Sequence, residues 1–268
     1  MKRLPSVAGQ FYPETGPALK SEVAGLLLTK DKLKEKAIGV LVPHAGYMYS
    51  GHVAASVYSC IEIPDTVIIL GPNHTGTGET FSLFKEGSWH TPLGDVDVDE
   101  NIAGAILAKC KYVKEDTKAH LFEHSLEVQL PFLQYLKKDV MIVPIVLSAY
   151  NMAAYQDLAA AIVSAIKQTH KSALIVASSD MTHYEIREVA EKKDKVAIEA
   201  ILKLSETQLM SSIEQLSISM CGYIPAVVML IAAKALGAKN ARLVKYQTSG
   251  DATGDYDAVV GYAGITIT

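Results

Sequence analysis

The chain has 268 residues, of which 49% are hydrophobic and 20% charged, with a formal net charge of −4 and three cysteines. A chain of this length can bury most of its apolar surface unaided. Its mild acidity excludes the basic face that nucleic acid or an anionic membrane would require, and three cysteines without a Cys-x-x-Cys spacing exclude a disulfide framework.

The opening MKRLPSVAGQFYP lacks the apolar core of a signal peptide. The longest apolar run, Ile224–Ala233, is far short of the roughly 20 residues of a membrane span. A soluble cytoplasmic protein in a reducing compartment is expected. Residues 1–17, with Pro5, Pro13 and Pro17, read as loop, Ala18–Leu28 as a helix and Lys30–Lys36 as a charged turn. Ile38–Val42 is short and β-branched, which predicts a buried strand. Pro43 stops it, and His44, Gly46 and Gly51 mark a loop at its carboxyl end, the edge of an open α/β sheet where ligands bind. Gly51–Ser59 then reads as a helix. Thr66–Leu70 is a second buried strand, and it too runs into a histidine loop, Gly71-Pro72-Asn73-His74. Two buried strands thus deliver a histidine to the same edge.

Phe81–Val98 reads as a β-hairpin excursion. Asp95, Asp97 and Asp99 alternate with valines, which predicts an exposed strand face leading to a helix start at Asp99 rather than a calcium site. Ile102–Cys110 is the next helix. Phe122–Leu136 is another, divided near Pro131, with His124 and Glu127 on one face. Val140–Leu147 is a strand and Met152–Gln168 an amphipathic helix. Ala173–Ala177 is a strand running into Asp180 and His183. Arg187–Leu204, Glu206–Glu214 and Pro225–Leu236 read as helices, the last preceded by Cys221-Gly222. Ala241–Tyr246 and Ala258–Ile267 close the chain as strands. This alternation predicts one α/β domain over residues 1–268, its mostly parallel sheet covered on both faces.

His44, His74, Asp180, His183 and Cys221 all fall just after buried strands or at a helix start, and His124 with Glu127 can join them. Two histidines and one anionic donor form a common ligand set for a catalytic or redox metal with open positions. Imidazole suits iron, copper or zinc, and a thiolate turns preference away from magnesium and calcium. The helix start next to Cys221 predicts a lowered thiol pKa. Asp180 and His183 would then orient ligands or act as an acid–base pair. The bland alternative is a set of satisfied loop histidines with an inert buried cysteine. A Cys221 nucleophile with His44 or His183 as base is a third reading. His52, His90, His120 and His170 have no partner pattern and read as surface or loop residues, and Cys60 and Cys110 as structural. Gly-x-Ser-x-Gly, a Lys-Ser/Thr phosphate loop and Gly-x-Gly-x-x-Gly are absent.

The segments VAGQFYP, PHAGYMYSGHVAA, LGPNHTG, FEHSLEVQLPFLQ, SSDMTHY, MCGYIPAVVML and TSGDATGDYDAVVGYAG resemble, nearly end to end, the Memo family. Its microbial members are often called AmmeMemoRadiSam system protein B. The resemblance implies an α/β/α sandwich with a mostly parallel or mixed central sheet, similar to class III extradiol ring-cleaving dioxygenases. It places the metal ligands on His44, His74 and Cys221, with Asp180, His183 and His124 as catalytic candidates lining the same cavity. Class III extradiol enzymes hold ferrous iron with two histidines and a glutamate. Here Cys221 stands third, and a thiolate is softer and itself oxidisable, so ring cleavage does not transfer with the fold. What the resemblance implies is iron- or copper-dependent redox or oxygenase-type chemistry, or metal handling, with zinc a further choice of ion. A small molecule or peptide would occupy the cleft, and a functional link to a radical-SAM protein and an AMMECR-type domain is implied. The alternative is a non-catalytic peptide- or protein-binding module, its ancestral cleft lined by Tyr47, Tyr49, Tyr184 and Tyr223.

Overall fold

The computed structural model describes residues 1–27 and 34–268, so Leu28 of the expected helix and residues 30–33 of the expected charged turn lie outside it. In chain order the elements are β1 (Lys2–Arg3), α1 (Gly16–Leu26), β2 (Gly39–Val42), α2 (Tyr47–Ser59), β3 (Thr66–Pro72), β4 (Phe81–Leu83), β5 (Ser88–Thr91) and β6 (Gly94–Asp97). There follow α3 (Glu100–Lys109), β7 (Val113–Glu115), α4 (Leu130–Leu136), β8 (Met141–Leu147), α5 (Met152–Thr169), β9 (Ala173–Ser178) and β10 (His183–Glu185). The chain ends with α6 (Arg187–Leu202), α7 (Glu206–Gln215), α8 (Tyr223–Ala235), β11 (Ala241–Thr248), α9 (Gly250–Thr253) and β12 (Val259–Ile267).

The main sheet runs β10-β12-β2-β9-β3-β8-β4-β7, with β11 on the outer side of β12. Its centre, β2-β9-β3-β8, is parallel throughout. The flanking pairs β12 with β2, β11 with β12, and β4 with β8 are antiparallel, so the sheet is mixed. The central strands are continuous apolar runs because both faces are covered. Packing shows which helix lies where: a Cβ on Gly39 would meet Met229 of α8, whereas one on Gly264 would meet Val53 and Val57 of α2. Gly39 pairs with Ile267 and therefore shares a face with Ile265, so Gly264 points the other way. α8 and α2 thus lie on opposite faces. β1, β5 and β6 form a separate small sheet. Among the described residues no helix is long and apolar enough to cross a membrane.

Asp99 caps α3 by accepting from the Ile102 amide, as the alternating aspartates predict, and it also takes Thr66 Oγ1 and Lys171 Nζ, both at 2.7 Å. Three expectations are corrected. α2 begins at Tyr47, so Gly51 lies inside a helix, where a Cβ would press on Leu26 of α1. The expected helix Phe122–Leu136 is regular only from Leu130, with Pro131 in its first turn and a 3₁₀ turn, Glu127–Gln129, before it. His120 is fully buried rather than a surface residue, with Nε2 3.2 Å from the Ser82 carbonyl.

The parallel strands point one way, so the segments after β2, β3 and β9 emerge at one edge. That edge holds the candidate site.

Candidate metal centre

His44 follows β2, and its backbone N–H donates to Asp180 Oδ1 at 2.8 Å. Its ring Nδ1 lies 3.0 Å from Ser178 Oγ, at the end of β9. The Ser178 hydroxyl gives its single proton to the Ser125 carbonyl at 2.6 Å and accepts from Gln129 Nε2 at 2.9 Å. It must therefore also accept from His44, which puts that ring's proton on Nδ1 and a lone pair on Nε2. Nε2 faces Cys221 Sγ at 3.2 Å.

His74 follows β3. Its backbone N–H donates to Glu123 Oε2 at 2.6 Å and its ring Nδ1 to Oε1 at 2.9 Å, again leaving Nε2 free. Cys221 precedes α8, and its Sγ accepts from the Asp180 amide at 3.3 Å. Gly222 permits this approach, because a Cβ there would strike the Ser178 carbonyl. One donor atom each from His44, His74 and Cys221 lies within 4.8 Å of the others. This is a spacing of the order that bonds of about 2.0–2.3 Å to one shared ion require. Two imidazole lone pairs and one sulfur form a nitrogen–sulfur set that fits iron, copper or zinc and not magnesium or calcium.

Electrostatics separates the three. Burial holds the His44 imidazole well below its ordinary range, and the neighbouring His74, His124 and His183 lower it further. Burial also acts against the charged form of His74, but the hydrogen bond and charge of Glu123 outweigh it and raise that pKa. Burial pushes the Cys221 thiol up, and the carboxylate of Asp180 pushes the same way. The lowered pKa expected at a helix start is thus reversed, since desolvation and a nearby anion outweigh the helix dipole. Asp180 is itself pushed up to about 6 by burial, against the hydrogen bonds it accepts from the backbone of His44 and Ala45.

His124 lies against both imidazoles, stacked on His74 at 4.7 Å and edge-on to His44 at 5.5 Å. It stands on an irregular segment and not on a helix. Glu127 does not join it: it pairs with Arg3 at 2.7 Å and accepts from Tyr12 Oη at 2.6 Å. His183 donates through Nδ1 to the Ser219 carbonyl at 2.9 Å. His124, Asp180 and His183 line a cleft of about 510 Å³ together with Phe11, Tyr49, Tyr184, Tyr262 and Asp255. Tyr47, the first residue of α2, is buried with its hydroxyl on the Val128 carbonyl, and Tyr223 does not line the cleft.

Sequence reasoning missed Glu123, Ser178 and Gln129, which fix the two imidazole tautomers. A ligand histidine needs a partner for its second nitrogen, and Glu123 stands beside His124 in the sequence. His74, Glu123 and His124 also bring one donor atom each within 4.8 Å of one another. Both Glu123 oxygens are already taken, however, by two N–H groups of His74 and by the Ser125 amide. Glu123 therefore orients His74 and has little capacity left to bind an ion.

The sequence profile described as Memo-like protein matches residues 3–266. The chain belongs to the Memo family. It is 46% identical over 267 residues to a MEMO1 family protein of Aquifex aeolicus, with 98% of each chain covered. A MEMO1 family protein of Methanopyrus kandleri is 41% identical over 278 residues, covering 99% of this chain and 98% of the relative. The Memo fold is also similar to the crystal structure of an uncharacterised protein from Escherichia coli K12, with a TM-score of 0.58 and 12% identity over 85% of this chain and 99% of that one.

Proposed function

We propose that this Memo-family chain holds one redox-active transition-metal ion, iron or copper, through His44 Nε2, His74 Nε2 and the Cys221 thiolate. It would use that ion for redox or oxygenase-type chemistry on a small molecule in the adjoining cleft, or for handling the metal itself. One observation carries the reading: three donors from the ends of β2 and β3 and the start of α8 converge, and both imidazoles are hydrogen-bonded through Nδ1 so that Nε2 is free. Zinc would suit the same donors without redox chemistry.

Such an ion would supply electron transfer and open coordination positions. The chain's own residues do the rest. Cys221 releases its thiol proton on becoming a ligand. His183, at the cleft wall with its Nδ1 held by the Ser219 carbonyl, would accept or return a proton. Asp180 holds the His44 backbone in place, and His124 closes the side of the His74 ring. Among the described residues, those lining the cleft include Asp180, Asp255 and several aromatic rings but no lysine or arginine, which favours a neutral or cationic aromatic substrate.

A cysteine hydrolase is disfavoured: burial keeps His44 neutral and the Cys221 thiol protonated, the reverse of the ion pair that a thiol nucleophile uses. A second reading rests on Tyr184, which is 78% exposed on the cleft rim with a left-handed φ of 59°. Backbone strain of this kind clusters at ligand clamps. It supports a non-catalytic module that grips a peptide or a partner protein.

The test is elemental analysis of protein purified without oxygen or chelators. The parent is expected to carry one iron or copper per chain and the His44→Ala, Cys221→Ser double variant none, with unchanged circular dichroism. Equal metal content in the two would refute the reading. Metal-free parent that still binds a peptide through the cleft would favour the module.

A further inference from the structure

The N-terminal segment is tied to the centre by a buried polar clasp that the mechanism above does not use. Arg3 is 1% exposed and stacks over Trp89 at 4.2 Å. Its Nε donates to the His120 carbonyl at 2.6 Å and its Nη2 to the Glu123 carbonyl at 2.8 Å, while Nη1 pairs with Glu127 Oε2 at 2.7 Å. Glu127 is saturated in turn by Ser6, Val7 and Tyr12.

The two carbonyls held by Arg3 bracket Leu121 and Phe122, which are 39% and 73% exposed. Apolar burial of those two side chains therefore does little to hold this stretch of backbone, and past the 3₁₀ turn that ends at His120 no regular hydrogen-bond ladder runs on to Glu123. The guanidinium bonds both ends of the stretch that leads to Glu123. From that backbone the Glu123 carboxylate reaches both N–H groups of His74. The same N-terminal segment lays Phe11 against His124 at 4.9 Å and offers the Phe11 carbonyl to the Tyr47 amide at 2.8 Å, just past the His44 loop.

We propose that Arg3 is a positioning residue for the metal centre: its guanidinium fixes the backbone of residues 120–123, from which Glu123 holds the His74 ring with Nε2 turned to His44 and Cys221. The proposal rests on the metal-binding reading above. Lysine cannot substitute, because three acceptors in three directions require the fork of a guanidinium, and an ammonium is a single point on a flexible stem.

The test compares Arg3→Lys with the parent in two ways. Cobalt(II) titration of metal-free protein, followed by the thiolate-to-metal absorption band, is expected to show affinity about 10- to 100-fold weaker in the variant, the usual loss when the support of a ligand histidine is removed. Nitrogen-15 NMR of the His74 ring in metal-free protein is expected to change from a single Nδ1–H tautomer to a mixture. A variant with a lower Tm but the parent's tautomer and cobalt affinity would overturn the proposal and leave Arg3 a purely structural residue. If Arg3→Lys does not fold, the Arg3→Gln, Glu127→Gln double variant removes both buried charges together and is read the same way. Parent protein that binds no cobalt would sink the metal-binding reading instead, and the His74 tautomer would still decide the role of Arg3.

Discussion

His44 and His74 occupy equivalent places, each just past the end of a parallel strand beside β9, yet they are held in different ways. His44 is 2% exposed, and its ring is fixed by Ser178, a residue of the sheet itself. The His74 side chain is 34% exposed, and its ring is fixed by Glu123, from an irregular segment that Arg3 holds from below. One imidazole inherits its rigidity from the hydrogen-bond ladder. The other borrows it through a relay of polar side chains. Packing makes the first insensitive to the loss of any single hydrogen bond, and the second should fail at whichever link is cut.

The largest effect tests whether the two halves meet at all. His44→Ala with Cys221→Ser is expected to abolish metal binding outright, as elemental analysis would show. Cutting the base of the relay comes next. Glu127→Ala leaves the Arg3 guanidinium buried and unpaired, at a cost of about 3–5 kcal/mol, which denaturant unfolding would measure. The pH dependence has a definite sign. Burial opposes ionisation of Glu127, but the Arg3 charge and the donors of Tyr12, Ser6 and Val7 outweigh it and hold its carboxyl below the usual value. Its contribution to stability is therefore complete above the unfolded-state pKa of about 4.3 and is lost as pH falls through the lower folded value. Tm against pH should fall on this acid limb in the parent, and the limb should flatten in Glu127→Gln.

Glu123→Gln and Ser178→Ala compare the two supports directly. In Glu123→Gln the new side-chain amide must turn its NH₂ towards one of the N–H groups of His74, and metal affinity should drop about 10- to 100-fold. Ser178→Ala leaves the packed His44 ring in place and should cost less than about tenfold in affinity, with a larger share of its effect on stability, about 1–3 kcal/mol for the buried partners left unsatisfied. Equal affinity losses in the two variants would erase the distinction between them. The smallest expected effect lies at the cleft mouth. Asp255→Asn should reduce by a few-fold any preference of the metal-loaded protein for aromatic amines over aromatic carboxylates, as competition binding would read.

The same contrast explains what could be read from the sequence. Strand-end residues declare themselves, because a buried β-branched run ending in proline or glycine fixes both the fold and the edge that His44 and His74 reach. Cys221 was legible through the helix start that follows it. Its acidity was not, since burial and the carboxylate of Asp180 depend on segments far away in sequence. Glu123 and Arg3 stand 49 and 117 positions from groups they hold, His74 and the His120 carbonyl respectively, and no local pattern marks such pairs. Tyr47 was misread because Gly46 and Gly51 look like loop punctuation, when Gly51 is small only to let α1 approach α2.

His44 and Cys221 lie 177 positions apart. The third donor therefore reaches the other two only once α8 has docked across β9 and β3, late in the synthesis of the chain. Contacts of such long range form after the local ones. A half-made polypeptide thus offers no finished set of the three donors, so an ion bound by that set would not seed the sheet around it. Such an ion would act as a keystone, slowing the fall of a completed arch without hastening the building of one.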